Sequence, residues 1–224
     1  VVALASEGID PIAFRVEALP YTFPYEITGD VDREEVKATA RLSGAAVFRS
    51  DKLVGWLDGR EARGYNWVVG KVTSAVLVVD APQSSVELDP SASLIGLEII
   101  RSKGAFRPRI TDDGRRIGME VKISAEANIA DVQPYIDSYS DAELWTSLEQ
   151  RLEEAIKSEA MAAIRKAQEL QADVFGFGRE VYRTNPRVWK QVKDQWYEIF
   201  AGLEPEIEVS VNIFRSGLKV RSVK

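Results

Sequence analysis

The sequence contains neither cysteine nor histidine among its 224 residues. Without cysteine there is no disulfide framework and no thiolate ligand, and without histidine there is no imidazole ligand for a metal. The same absences exclude catalytic dyads and triads that use either side chain. The lack of cysteine does not identify the compartment, because many exported bacterial proteins also lack it.

A basic excess and a long apolar run are lacking too. The chain has 29 basic and 35 acidic residues, a net charge of −6, which argues against a dedicated nucleic-acid surface because phosphate neutralisation needs basic residues. No apolar run approaches the about 18 residues that span a bilayer. The first six residues have no initiator methionine, basic region or long apolar core, so they do not resemble a signal peptide. We expect a chain cut from something longer.

The strongest pattern lies in residues 140–202 and predicts two amphipathic helices joined by a glycine–phenylalanine turn. Ser140 and Glu143 have the spacing of a capping box. Apolar residues then recur at helical spacing as far as Leu170, interrupted by Glu159 without an evident reason. A second helix is predicted from Asn185 and Pro186, which suit a cap and a first turn, to Gly202.

The remaining chain predicts strands. Residues 41–58 predict a hairpin with its turn at 49–51, and Asp58 is placed to cap a short helix over residues 59–69. Residues 72–79 are nearly all apolar, which predicts a strand covered on both faces. Residues 94–129 predict an antiparallel meander with turns at 102–104 and 112–114 and with Pro108 at an edge. Residues 206–213 alternate cleanly, and a turn at 216–217 follows them.

These elements predict an α+β fold. We expect an antiparallel or mixed sheet with a long helix and a second helix on one face, plus a small hairpin–helix–strand subdomain. The predicted divisions are a connector or strap over residues 1–36, the subdomain over 37–84 and a C-terminal α+β domain over 85–224. Residues 37–224 also fit a single domain.

Two groups of residues are candidates for binding a partner. Trp56, Tyr65 and Trp67 lie in the hairpin–helix unit with little polar cover, so an exposed patch and burial are both open. A basic group lies in the meander, where a solvated rim and a contact with an acidic partner or lipid headgroups are both open. Its members are Arg101, Lys103, Arg107, Arg109, Arg115 and Arg116.

Other candidate sites have simpler explanations. The Gly-Phe-Gly run at 176–178 lacks the third glycine of a dinucleotide fingerprint and follows a helix, which favours a tight turn that buries its aromatic side chains. Asp112 and Asp113 adjoin a glycine in a predicted turn, where aspartate is favoured for backbone reasons. Glu120 and Glu126 fall on the solvent face of a strand. The aromatic residues between positions 175 and 200 suit a core better than a ligand pocket.

Two separated stretches carry a family resemblance. Residues 42–58, continued by 61–64 and Trp67, and residues 171–178, followed by Pro186, Trp189, Trp196 and Phe200, resemble the C-terminal region of the C subunit of spore germinant receptors, the GerAC/GerBC lipoprotein family. The resemblance covers roughly residues 36–224. Residues 8–11 are also similar to the connector that follows the family's N-terminal domain.

The resemblance implies a non-catalytic receptor subunit with no cofactor. It implies an exported lipoprotein on the outer face of the spore inner membrane, working with an A subunit and a membrane-spanning B subunit to sense nutrients. The signal, lipid-bearing cysteine and N-terminal domain of the family are not in this sequence. Two alternatives stay open, a small-molecule module that binds the germinant directly and a cortex hydrolase that uses carboxylates alone.

Overall fold

The computed structural model describes residues 9–20, 38–81, 94–111, 116–132 and 142–214, which form two β-sheets and a set of helices. The elements in chain order are β1 (Ile12–Pro20), β2 (Ala38–Arg49), β3 (Lys52–Leu57), α1 (Gly59–Val68), β4 (Ala75–Asp80), β5 (Leu94–Ile110), β6 (Ile117–Val132), α2 (Ala142–Glu169), α3 (Phe177–Thr184), α4 (Pro186–Val192), a 3-10 turn (Lys193–Gln195), α5 (Trp196–Ala201) and β7 (Pro205–Phe214). The predicted α+β class is confirmed.

The first sheet has the order β1-β2-β3 and is antiparallel throughout. Its β2–β3 pair is the hairpin that the sequence predicts. The outer strand β1 falls in the segment for which the sequence predicts only a strap. It pairs with β2 across a bulge at Arg15 and Val16. The segment has no sustained period of its own, so its strand conformation depends on pairing with β2.

Helix α1 starts as the sequence predicts. The Asp58 side chain accepts the Glu61 backbone N–H at 2.7 Å, and the Glu61 side chain accepts the Asp58 N–H at 2.8 Å, a complete capping box. Farther along the helix, Gly64 lies against α2. A Cβ built on Gly64 would come within 2.1 Å of the Glu159 carbonyl oxygen, so a glycine is what lets the two helix backbones approach.

The second sheet has the order β4-β5-β6-β7. Its pairs are antiparallel except β6–β7, which is parallel. The predicted turn at residues 102–104 is wrong, because β5 runs straight through it. Ser102 binds the backbone of Val72 through its hydroxyl, and a Cβ on Gly104 would meet the Val68 carbonyl oxygen at 2.3 Å. The glycine therefore allows close packing of the end of α1 on the strand rather than a reversal of the chain.

Strand β4 differs from its prediction in both extent and burial. It spans Ala75–Asp80 instead of the predicted residues 72–79, and it forms the edge of the four-stranded sheet next to β5. Leu77 and Val79 are buried, but Val76 and Val78 are exposed. Because β4 pairs with β5, the predicted 37–84 unit shares its last strand with the sheet of the 85–224 unit.

The long helix α2 is confirmed and packs its apolar face on the second sheet and on α1. The predicted second helix is wrong as a single element, since it is divided into α4, a 3-10 turn and α5. Buried residues of both sheets and of the five helices in the described part of the chain form one continuous core. The predicted caps and turns at Ser140, at 112–114 and at 216–217 lie outside the described residues.

Candidate interaction surfaces and buried carboxylates

The aromatic candidates of the hairpin–helix unit separate into two environments. Tyr65 and Trp67 are buried in the core, so the structure removes them from any exposed patch. Trp56 lies 48% exposed on β3, and the Arg15 guanidinium lies over its ring, 5.5 Å from the ring centroid. Tryptophan and arginine are both among the residue types enriched at binding hot spots.

The burial of Trp67 explains the interruption that Glu159 makes in the apolar face of α2. The Glu159 carboxylate accepts the Trp67 indole N–H at 2.9 Å and the Arg63 Nε–H at 2.8 Å, and it also pairs with Arg63 Nη2. A buried indole N–H and a buried carboxylate each need a partner. The one charged residue in the helix stripe therefore satisfies a tryptophan from another helix.

Four of the basic candidates, Arg101, Lys103, Arg107 and Arg109, lie on the face of the second sheet that points away from α2. Arg107 Nε and Arg109 Nε donate to Glu120 Oε2 at 2.7 and 3.2 Å, and Lys122 Nζ lies 3.3 Å from Glu120 Oε1. The Glu120 side chain is only 5% exposed beneath these three cations. The expectation of a solvated Glu120 is wrong. Arg115 lies outside the described residues.

The cations determine the ionisation of Glu120. The hydrogen bond from Arg107 is the largest cause, and those from Lys122 and Arg109 add to it, so that the pKa of Glu120 falls to about 2 despite the opposing effect of burial. Glu206 of β7 pairs with Arg109 of β5, and Glu208 of β7 pairs with Lys122 of β6. Arg107 and Arg109 are therefore largely neutralised by their own neighbours, which weakens the case for a strongly anionic partner here.

A polar depression of about 260 Å³ lies beside this group on the same face. The small side chains of Ser124 and Ser210 pair across β6 and β7 and form its floor. Arg101, Glu126, Lys103 and Asn212 are among the residues around it. The depression is open to solvent and carries both signs of charge.

The predicted glycine–phenylalanine turn holds a buried carboxylate. Asp173 accepts the backbone N–H groups of Gly176, Phe177 and Gly178 at 3.0, 3.0 and 2.7 Å, and the Trp196 indole N–H at 3.0 Å. Burial raises the pKa of Asp173 to about 6, although these hydrogen bonds act in the opposite direction. The N-cap residue Gly176 has no side chain to cap α3, so Asp173 binds the first backbone N–H groups of the helix from three residues upstream.

A second buried carboxylate ties the connector to this turn. Asp10 Oδ2 accepts the Asp173 N–H at 2.8 Å, and Asp10 Oδ1 accepts the Ser50 N–H at 3.0 Å and the Tyr197 hydroxyl at 3.2 Å. The Ile9 side chain lies against Gly176, whose φ is 81°. Sequence reasoning missed Asp10, because no local pattern reports a contact between such distant segments.

Five of the aromatic residues between 175 and 200 form part of the core. Phe175, Phe177, Trp189, Trp196 and Phe200 are all buried, as the helical spacing predicts. Phe177 packs against Phe175 at 5.2 Å between ring centroids and against Phe200 at 6.1 Å. Their own side chains fill the volume that an aromatic ligand pocket would need.

The described residues contain neither a metal-binding cluster of acidic side chains nor a helix suited to span a membrane. No group of three or more acidic side chains in this part of the chain is placed to hold a metal ion. None of the described helices is both long and apolar enough to cross a membrane.

The chain is similar to several spore germination proteins of Bacillus subtilis (strain 168). It is 25% identical over 190 residues to spore germination protein KC, covering 84% of this chain and 44% of that protein. It is 27% identical over 180 residues to spore germination protein YndF, covering 79% and 42%, and 25% identical over 185 residues to spore germination protein B3, covering 81% and 46%. The chain thus spans less than half the length of these curated relatives.

A solved structure shares the fold. The crystal structure of the GerBC protein matches with a TM-score of 0.64 and 23% identity, over 79% of this chain and 52% of that one. The family described as "Spore germination B3/ GerAC like, C-terminal" matches residues 43–217. The chain belongs to this family of spore germination proteins.

Proposed function

We propose that this chain is the C-terminal part of the C subunit of a nutrient germinant receptor and that it acts through protein–protein contact, without catalysis. The observation that carries the contact role is the half-exposed ring of Trp56 on β3, an edge strand of the first sheet. The guanidinium of Arg15 on β1 lies over this ring. Arg15 is itself fixed by a hydrogen bond from its Nε to Ser43 Oγ at 2.9 Å. An aromatic ring that is already immobilised loses little entropy when a partner covers it.

The partners that we propose are the receptor's A and B subunits, at the outer face of the spore inner membrane. Family membership supports the receptor role, and the resemblance that the sequence carries supports the two partners and the lipid-anchored location. The non-catalytic role is supported by the bonding of the buried carboxylates. All four of them are saturated by structural hydrogen bonds or ion pairs, namely Asp10, Asp173, Glu120 and Glu159.

The contact is tested by Trp56→Ala in the full-length protein, with nutrient-triggered germination and co-purification of the A and B subunits as readouts. Tyr182→Ala is the matched control, because Tyr182 is an aromatic side chain of similar exposure on α3. We expect Trp56→Ala to reduce both readouts by about tenfold or more, as truncation of a hot-spot tryptophan does, with little effect from the control. Normal germination and assembly by a folded Trp56→Ala variant would reject this contact.

Direct binding of the germinant is the second candidate, and the polar depression on the second sheet is the observation that favours it. Lys103 and Glu126 line it together with Ser124 and Ser210, so both charges of a free amino acid have counterparts there. Calorimetry against amino acids and sugars tests this candidate, with Ser210→Lys to fill the depression. No heat at millimolar ligand would reject it.

A further inference from the structure

The two edge strands of the four-stranded sheet, β7 and β4, differ in what binds their outward backbone groups. At the β7 edge, the backbone N–H groups of Val211 and Ile213 donate to the side chains of Glu153 and Glu149 of α2, at 3.0 and 3.1 Å. These carboxylates occupy the donors that another strand would use. At the β4 edge, no strand of the described part of the chain pairs on the outward side.

The backbone of β4 is suited to accept a further strand. In an antiparallel pair each residue points both backbone polar groups to the same side, so alternate residues of β4 direct theirs away from β5. The β4–β5 register runs from Ala75 to Asp80 without a bulge. The strand also contains no lysine or proline, and these residues and bulges are the usual devices that protect an edge.

The side chains on the outer face of this edge are apolar and uncovered. Val76 is 55% exposed and Val78 is 60% exposed. Val78 pairs with Gly96, which has no side chain to cover it. Leu94 and Ile100 on β5 are also exposed and extend the apolar area. The group of Val76, Val78, Leu94 and Ile100 is called the β4 patch below.

The charges beside the β4 patch have one sign. Glu98 is exposed opposite Val76, and Asp80 is exposed opposite Leu94. Neither has an ion-pair partner among the residues that the structure describes. The next basic residue along β5 is Arg101, and Glu126 neutralises it with contacts of 2.6 and 2.7 Å. The patch is therefore complementary to a segment that carries apolar and basic side chains.

We propose that β4 is a docking edge for an extended segment of another protein, which adds to the sheet as a fifth strand next to β4. Backbone hydrogen bonds to β4 provide the affinity, as in other cases of strand addition. The segment's apolar side chains cover Val76 and Val78, and its basic side chains pair with Glu98 and Asp80. This surface is separate from Trp56, so it stands independently of the function proposed above.

The test uses a fluorescently labelled heptapeptide with lysine at positions 1 and 7, valine at positions 3 and 5 and threonine at the even positions, so that the lysines and valines share one face of the strand, and binding is followed by anisotropy. We expect saturable binding with a Kd of about 1 mM or tighter, which weakens as salt screens the charges. Two control peptides share the length, one with glutamate in place of lysine and one with alternate backbone nitrogens methylated. Both should bind at least about tenfold more weakly, through like-charge repulsion in the first and lost ladder hydrogen bonds in the second.

Substitutions then locate the site. Val78→Lys should weaken binding of the lysine–valine peptide by about tenfold or more, and Glu98→Gln by about threefold. Phe214→Lys is the matched control, because it places a lysine at an exposed position of the same sheet face at the opposite edge, and its effect should stay below about twofold. The methylated peptide keeps the test decisive if Val78→Lys does not fold, since it leaves the protein unchanged.

Several results would overturn the proposal. No binding at millimolar peptide, equal binding of the methylated peptide, or equal losses in Val78→Lys and Phe214→Lys would each do so. Peptide binding that appears only after residues 82–93 are replaced by a glycine–serine linker would show that the chain covers its own edge. Dimerisation that Val78→Lys abolishes, without peptide binding, would assign the edge to a second copy.

Discussion

The carboxylate of Asp10 accepts the backbone N–H of Asp173, and the Asp10 N–H donates to the Asp173 carbonyl oxygen at 2.9 Å, across 163 residues of sequence. This reciprocal pair holds the connector against the glycine–phenylalanine turn. Ser50 of the hairpin and Tyr197 of α5 bind the same Asp10 carboxylate. Four distant segments therefore meet at one side chain, which makes its removal informative.

Asp10→Ala should lower the free energy of unfolding by about 3 kcal/mol, because two backbone donors and a tyrosine hydroxyl lose their acceptor. Urea denaturation measures the change. Asp51→Ala in the exposed hairpin turn is the control and should change stability by less than about 0.5 kcal/mol. Equal effects of the two variants would contradict the clamp role of Asp10.

The stability of the protein should depend on pH through Asp173. Its pKa is raised from 3.8 to about 6 in the folded state, so the folded protein binds this proton more tightly than the unfolded chain. The contribution to stability is fully present below about pH 4 and is lost as pH rises through about 6, a change of about 3 kcal/mol. A carboxyl-carbon NMR titration should show a midpoint near 6 for Asp173, and a midpoint below 4 would contradict this assignment.

Glu159→Ala should destabilise the protein by about 2 to 3 kcal/mol, since the buried Trp67 indole N–H and the Arg63 guanidinium would both lose their partner. Glu159→Gln keeps one acceptor oxygen for Trp67 and should cost about half as much. Thermal denaturation checks both values. Glu154→Ala, at an exposed position of the same helix, is the control, and a loss as large as that of Glu159→Ala would argue against the specific contact.

Simultaneous replacement of Glu149 and Glu153 by alanine should open the β7 edge. Two backbone donors would lose their acceptors, and we expect a stability loss of about 2 kcal/mol together with concentration-dependent association. Light scattering and denaturation measure these effects. The double glutamine variant keeps an acceptor oxygen at each position and should remain monomeric to higher concentration. Association of both variants alike would point to net charge rather than the hydrogen bonds.

Much of the local structure was predictable because short-range physics determines it. The hairpin of residues 41–58 follows from two short apolar runs around a polar turn. The start of α1 follows from the capping position of Asp58, and α2 follows from a sustained 3.6-residue period. The burial of Phe175 and Phe177 follows from the glycine-punctuated turn that carries them, which favours aromatic side chains in the core. These signals involve residues within a few positions of one another, so tertiary context did not alter them.

The surfaces were much less predictable, because they depend on which elements pack together. Nothing local distinguishes Trp56, which stays exposed, from Trp67, which lies buried on α1 and donates its indole N–H to Glu159 of α2. Gly104 suggests a turn by composition, but it lies inside β5, where its lack of a side chain lets the end of α1 pack closely on the strand. Glu120 occupies the solvent face by alternation, and only the pairing of β5 with β6 brings Arg107 and Arg109 over it.

The sequence alone determined the mixed α+β class, the positions of α1, α2 and the hairpin, and the family, since these depend on periodicity, turn chemistry and motif order. The tertiary structure decided which aromatic residues are exposed, where the buried carboxylates find their donors and which sheet edge is left open. The physical reason is that burial and hydrogen-bond pairing arise between segments far apart in the chain, where no local pattern records them.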